Sequence, residues 1–115
     1  MSRPRRGDVW WADLEPARGQ EINKTRPVVV VSEDEFASLA VKVVVPLTTM
    51  TPTKVGQPWL VPIKATAGNG LRNESAADAM QIRSVSLKRF GKLAGRMSSD
   101  DLSEVVAAVA LVVGS

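Results

Sequence analysis

Apolar residues come in short runs broken by Pro, Gly and polar clusters through most of the chain, and only the C-terminal stretch shifts to a helical period. "GDVWWADL" concentrates β-forming residues and predicts a strand over residues 8–14. "EPARGQEINKT" carries Pro, Gly and Asn and reads as a loop. The unbroken valines at 28–31 suit a strand buried on both faces, with Pro27 at its entry, where no ladder donor is required. "SEDEFASL" predicts a short helical turn, with Ser32 as N-cap and Glu35 as its capping-box partner. A third strand is expected over 41–47, its far end turned into an edge or bulge by Pro46. After the loop "TMTPTKVGQP" comes "WLVPI", a fourth strand, and then the turn-bearing "KATAGNGLRNES". Residues 75–82 predict another strand, and "SLKRFGKLAGRM" a short helix and a short strand.

The last element is an amphipathic helix. Ser98 stands three residues before Asp101, acids fill the first turn, and Gly114 stands where a C-cap is expected. Leu102, Val105, Val106, Val109 and Val113 form an apolar stripe near a 3.6-residue period. This helix is expected to pack on the sheet or at a dimer contact. Many short strands, frequent turn signals and one strong terminal helix imply a mainly β fold with α: a small barrel-like sheet with helices attached.

Length and composition narrow the class. The chain has 115 residues and is 44% hydrophobic, enough for a single domain over 1–115 with one core. "MSRPRR", residues 1–6, reads as a flexible basic arm. The chain holds no cysteine, so disulfides and thiolate metal sites are excluded, and a reducing cytoplasm suits it. No basic-then-apolar leader opens the sequence, and the apolar stretch at 105–113 is too short to span a bilayer. A cytoplasmic protein without membrane attachment is expected. Histidine is absent too, so any reaction must run on Arg, Lys, Asp, Glu, Ser or Thr, and no metal or cofactor site is expected. The net charge is only +3, but residues 42–96 hold nine bases against Glu74 and Asp78, while 97–115 hold three acids and no base. Such asymmetry fits a basic face for a polyanion, or a solvated face that binds nothing.

Two features could carry chemistry. Arg26 precedes Pro27 and is therefore biased to extended backbone. Its guanidinium fork suits phosphate oxygens, although an ion pair with Glu21 or Glu15 is the plainer use. Thr48 and Thr49 follow the valine run of the third strand, where a threonine commonly just caps a strand end. Should the second and third strands pair antiparallel, Arg26 and Thr48 converge on one point. Lys54 and Arg83 are candidate phosphate contacts, with solvated surface as the alternative. Trp10 and Trp11, adjacent on a strand, point to opposite faces; one belongs to the core, the other to an interface or a base. Trp59 is a candidate for base stacking, with core packing as its alternative.

At these residues a resemblance becomes specific. "RRGDVWWADLEPARGQE", "TRPVVVVS", "VVVPLTT" and "AMQIRSV" together are similar to the MazF/PemK family of toxin–antitoxin ribonucleases, from Arg6 to the terminal helix. The resemblance implies a small SH3-like barrel of the CcdB/MazF type, about five to seven strands with a C-terminal helix. It implies a homodimer with single-stranded RNA along its interface, metal-independent cleavage at a short sequence motif, and a MazE-like cognate antitoxin. The ribose 2′-hydroxyl attacks the adjacent phosphorus and leaves a 2′,3′-cyclic phosphate and a 5′-hydroxyl. Carried over, Arg26 stabilises the phosphorane charge, since arginine holds its own proton too tightly to be a good acid. Thr48 donates to a nonbridging oxygen, Glu21 serves as base or base-edge acceptor, and Gln81 contacts RNA. Gln20 and Thr49 fall on the same substrate-binding surface.

The chain also departs from the family pattern. "GQEINKTRP" stands where relatives have "GSEQ-G-RP", which points to an altered sequence preference. Met80 replaces the acid that often precedes the position of Gln81, and Asp78, on the same face of a continued strand, is the substitute at hand. Two further classes stay open: a CcdB-like protein that poisons a topoisomerase, since fold does not fix function, and an RNA-binding relative without chemistry.

Overall fold

The computed structural model describes residues 3–14 and 25–115. Among these residues seven strands form one antiparallel sheet: β1 (Asp8–Asp13), β2 (Thr25–Val30), β3 (Val41–Thr49), β4 (Leu60–Ile63), β5 (Ser75–Asp78), β6 (Arg83–Ser86) and β7 (Phe90–Arg96). One helix, α1 (Ser99–Val112), follows. The strand order is β4-β5-β3-β2-β1-β7, with β6 also pairing β3. The mainly β architecture with a C-terminal helix is the expected one, but the sheet does not close into a hydrogen-bonded barrel. Among the described residues, β4 and β7 end the path unpaired with each other. The loop after β4 covers this gap, and Gly68 O accepts from Arg96 N at 2.8 Å. Gly70 sits there at φ +71°, and a Cβ on it would fall 2.1 Å from Ala94 O. Only glycine allows both that conformation and that approach.

The valine runs are buried on both faces because each face of the sheet carries its own core, while β1 and β3 pair the two edges of β2. Val29 and Val45 join Val9, Leu47, Ile63 and Ala77 in a core completed by Val105 and Ala108 of α1. Val28, Val30 and Val44 face the other way, with Trp10, Ala12, Leu14 and Val85. Trp10 meets Phe90 edge-on at 6.0 Å, so it is the core member of the tryptophan pair. Each fully buried valine contributes roughly 1.5–3 kcal/mol by leaving water, which outweighs the weak β-propensity of any single residue.

Two prolines decide where ladders stop. The N–H of Val31 donates to Val43 O at 2.9 Å, so odd-numbered β2 residues direct their backbone groups at β3. By that parity the missing N–H of Pro27 is the one that would face Leu47. The β2–β3 pairing accordingly ends at Val28↔Pro46. Pro27 is thus inside β2, opposite Trp11, and not at a strand entry. Pro46, of opposite parity, turns its missing donor to the other side of β3. There β6 pairing has ended at Val44↔Arg83, and β5 pairing begins at Leu47↔Ala77. The edge expected at Pro46 is a change of partner within a strand that runs on to Thr49.

The strand expected over 75–82 ends at Asp78: a 3-10 turn, Ala79–Gln81, follows, and the next strand begins only at Arg83. Between the two pairings β3 advances three residues and its partner six, so three residues are extruded. Asp78 makes the turn by accepting the N–H of Met80 at 3.1 Å. Other local expectations shift by similar competition. Ser32 does not cap the turn Asp34–Phe36; its Oγ accepts from Val43 N at 3.1 Å. In α1, Ser98 does cap, accepting from Asp101 N at 3.1 Å. The helix buries Val105 and Ala108 and packs Leu102, Val109 and Val112, while Val113 lies past its end, 66% exposed. From Arg3 onward, the segment expected as a flexible basic arm lies on the 34–37 turn: Arg3 Nη2 donates to Ala37 O, and Arg6 N to Asp34 Oδ1.

Candidate functional site

Where Pro27 ends the ladder, β2 continues along β1 to Thr25↔Asp13, while β3 continues along β5 to Thr49↔Ser75. A cleft of about 270 Å³ opens between the diverging strands. Trp11 and Thr25 to Pro27 line it from one side, Leu47 to Thr49 and Ser75 from the other, and Leu71 to Asn73 complete it. Extending the Val28↔Pro46 register by two residues sets Arg26 across from Thr48. The antiparallel pairing that the convergence of Arg26 and Thr48 requires is therefore present, and both residues line the cleft.

Arg26 is half-buried and pairs with Ala12 in the β1–β2 ladder. Thr48 pairs with Ala76, and its Oγ1 lies 3.0 Å from Lys54 Nζ. The same ammonium donates to Thr49 O at 2.7 Å. Lys54 thus meets the back of the site and is not among the cleft-lining residues. Its charge also acts on Asp78. Burial pushes the Asp78 carboxyl above its ordinary value of 3.8, while the backbone N–H groups of Met80 and Gln81 and the charge of Lys54 pull it back.

The other sequence candidates separate from this point. Gln20 and Glu21 lie outside the described residues. Trp59, Asp78, Gln81 and Arg83 do not line the cleft. Trp59 precedes β4, 37% exposed, with its carbonyl accepting from Ala79 N at 2.9 Å. Arg83 directs Nη1 at Leu14 O, 3.3 Å away, tying β6 to the end of β1. Asp78 and Met80 do not share a strand face, because the chain turns between them and leaves Met80 58% exposed on the extruded segment. The basic block is divided as well. Arg96 pairs with the buried Asp8, Arg89 donates to Asp13 O, and Lys42 is only 3% exposed.

Arg72, Asn73, Leu71 and Thr25 were not singled out from the sequence, and Trp11 only as half of a pair. Arg72 is exposed on the cleft wall and brings a second guanidinium to it. Its placement depends on Asn69, whose buried amide accepts from Thr66 N and Leu71 N, both at 3.0 Å, and donates to Lys64 O at 2.8 Å. The Asn-Gly pair at 69–70 was the available signal; it marks a turn, but not which wall the turn supports.

What the arrangement offers is a guanidinium and a hydroxyl across a narrow cleft, a second arginine, and an indole. Such a set neutralises and hydrogen-bonds a phosphodiester while leaving an aromatic surface for a base. Among the described residues no three Asp or Glu side chains gather to hold a metal.

Comparison with known proteins agrees in sequence and in fold. A family profile described as "PemK-like, MazF-like toxin of type II toxin-antitoxin system" matches residues 5–113. The chain is 40% identical over 113 residues to Endoribonuclease MazF9 of Mycobacterium tuberculosis, covering 93% of each protein. It is also 40% identical over 88 residues to the Probable endoribonuclease MazF1 of the same organism, covering 68% of this chain and 88% of that one. A crystal structure of MazF from Deinococcus radiodurans superposes with a TM-score of 0.85 at 22% identity, over 100% of both chains. An endoribonuclease solved in complex with its cognate antitoxin, from a mycobacterial species, gives a TM-score of 0.76 at 22% identity, covering 96% of this chain and 95% of that one.

Proposed function

Because the chain belongs to the PemK-like, MazF-like toxin family of type II toxin–antitoxin systems, we propose that it is a metal-independent endoribonuclease acting on single-stranded RNA at the cleft between β2 and β3. The observation that carries this reading is the placement of Arg26 and Thr48 on one cleft, set opposite each other by the strand register. A scissile phosphodiester sits between them. The ribose 2′-oxygen attacks the adjacent phosphorus, forming the 2′-O–P bond as the P–5′-O bond breaks. Glu21 takes the 2′-proton, and the departing 5′-oxygen gains one from water. The products are a 2′,3′-cyclic phosphate and a 5′-hydroxyl. Arg26 offsets the charge that builds on the phosphorane oxygens, and Thr48 donates to one of them. Since the nucleophile belongs to the substrate, no metal is needed to generate it. Arg72 holds a neighbouring phosphate, and Trp11 offers its face to a base.

The preference for a short RNA motif comes from the segment that contains Gln20 and from side chains beyond the cleft, Gln81 among them. The protein works as a homodimer in the cytoplasm, and a cognate antitoxin holds it inactive. A mycobacterial structural neighbour is itself an endoribonuclease bound to its antitoxin, which supports that partnership.

The test is incubation of the purified full chain with total RNA in EDTA, with the fragment ends sequenced. Fragments bearing 5′-hydroxyl ends, undiminished by the chelator, are expected. Arg26→Ala should lower kcat by at least about 100-fold, the typical effect of removing one transition-state charge stabiliser, with an unchanged thermal melt. Full activity of folded Arg26→Ala, 5′-phosphate ends or loss of cleavage in EDTA would each contradict the proposal.

A further inference from the structure

Lys54 ends the 3-10 turn Pro52–Lys54 and reaches back to β3. Its ammonium spends one hydrogen on Thr48 Oγ1 at 3.0 Å and another on Thr49 O at 2.7 Å. The charge of Lys54 also acts on Asp78 of β5. Two of three hydrogens are thereby engaged within the protein, an uneconomical use for a group whose task is to hold substrate phosphate.

Donor and acceptor chemistry gives this contact a direction. An ammonium carries three donors and no acceptor, whereas a threonine hydroxyl has one O–H and two lone pairs. Thr48 must therefore accept from Lys54, and its own hydrogen must point elsewhere. Thr48 lines the cleft and Lys54 does not, so the open direction for that hydrogen is the cleft. A phosphate oxygen there only accepts. Donation from Lys54 also polarises the hydroxyl and strengthens the bond it gives onward.

We propose that Lys54 is a positioning residue: it fixes the Thr48 hydroxyl as a hydrogen-bond donor aimed into the cleft, ready for a nonbridging oxygen of the scissile phosphate. The inference rests on the RNA-cleaving reading above. A hydroxyl without this partner rotates freely and offers the substrate a lone pair as often as a hydrogen.

The experiment is a double-mutant cycle on the full-length protein with Lys54→Met, Thr48→Val and the pair, adding Lys54→Arg as the conservative variant. Cleavage of an RNA oligonucleotide gives kcat. Binding of the same oligonucleotide with 2′-deoxyribose at the scissile position, across a salt series, gives affinity without turnover. Lys54→Met should lose about tenfold in kcat, the low end for one hydrogen bond to a charged group. It should keep the affinity and salt slope of the unaltered protein, and cost nothing further when Thr48 is already valine. Lys54→Arg, also a pure donor, should recover most of the loss. Should Lys54→Met melt below the assay temperature, Lys54→Gln carries the same cycle. Losses that add in full, or a salt slope smaller by about 0.7, the signature of one lost phosphate contact on a single strand, would overturn the inference and leave the nuclease reading standing. An unaltered protein that neither binds nor cuts RNA would overturn both.

Discussion

Asp78 shows how one side chain serves two neighbours at a cost. It accepts the N–H of Met80 to turn the chain, and it lies within reach of the Lys54 charge, yet burial holds its carboxyl above 3.8. The folded chain therefore binds more protons than the unfolded chain between 3.8 and the raised value. Its contribution to stability is gained as pH falls through the folded value and lost as pH rises through it. Asp78→Asn keeps an acceptor for Met80 and removes the titration. Melting temperatures measured from pH 3 to 8 should show the variant gaining on the unaltered protein as pH rises above about 3.8, then levelling off. A gap that moves the other way would show that the attraction of Lys54, and not burial, dominates. Arg26 and Thr48 were legible in the sequence because each stands at a strand end beside a proline or a valine run. Arg72 was not, because its place on the cleft is set by the hydrogen bonds of Asn69, which have no signature in spacing.

Strand positions were read from the sequence where β-branched residues crowd together, as in β2 and β3. The reading failed at residues 75–82, where alanines and one methionine give no alternation that would mark three extruded residues. A proline before a valine run signals a strand's beginning, yet Pro27 is the point where one ladder ends, since its missing donor faces Leu47. The cleft exists because of that ending. The loop after β4 matters in the same way, covering the unpaired edge of β7 through Gly68 and Gly70. Gly70→Ala adds a Cβ 2.1 Å from Ala94 O to a left-handed backbone at φ +71°. It should cost about 2–5 kcal/mol, strain and overpacking together. Gly114→Ala, at φ +78° with no heavy atom within 4 Å of the added Cβ, carries only the strain, about 1 kcal/mol at the low end. Chemical denaturation of the two variants separates the terms; equal losses would mean that the close approach to β7 is not maintained in solution.

Taken whole, the molecule places one core under α1 and a second on the opposite face of the sheet, and opens its cleft where the paths of β2 and β3 part. The positive charge of residues 42–96 was legible as a total but not as a surface. Arg83, Arg89 and Arg96 are tied to β1, and Lys42 is buried. Arg72 is the member of that block that lines the cleft, beside Arg26, while Lys54 is turned onto Thr48 and Thr49. The barrel expectation was right in strand content and terminal helix, and the missing closure follows from a loop, where sequence patterns carry least information. The central claim is that this cleft turns the substrate's own 2′-hydroxyl on its phosphorus. The most direct measurement compares cleavage of an RNA oligonucleotide with that of the same oligonucleotide carrying a single 2′-deoxyribose at the mapped cut site. The account predicts cutting of the first, with a cyclic phosphate on the upstream fragment, and none of the second at that position. Equal cutting of both would contradict it.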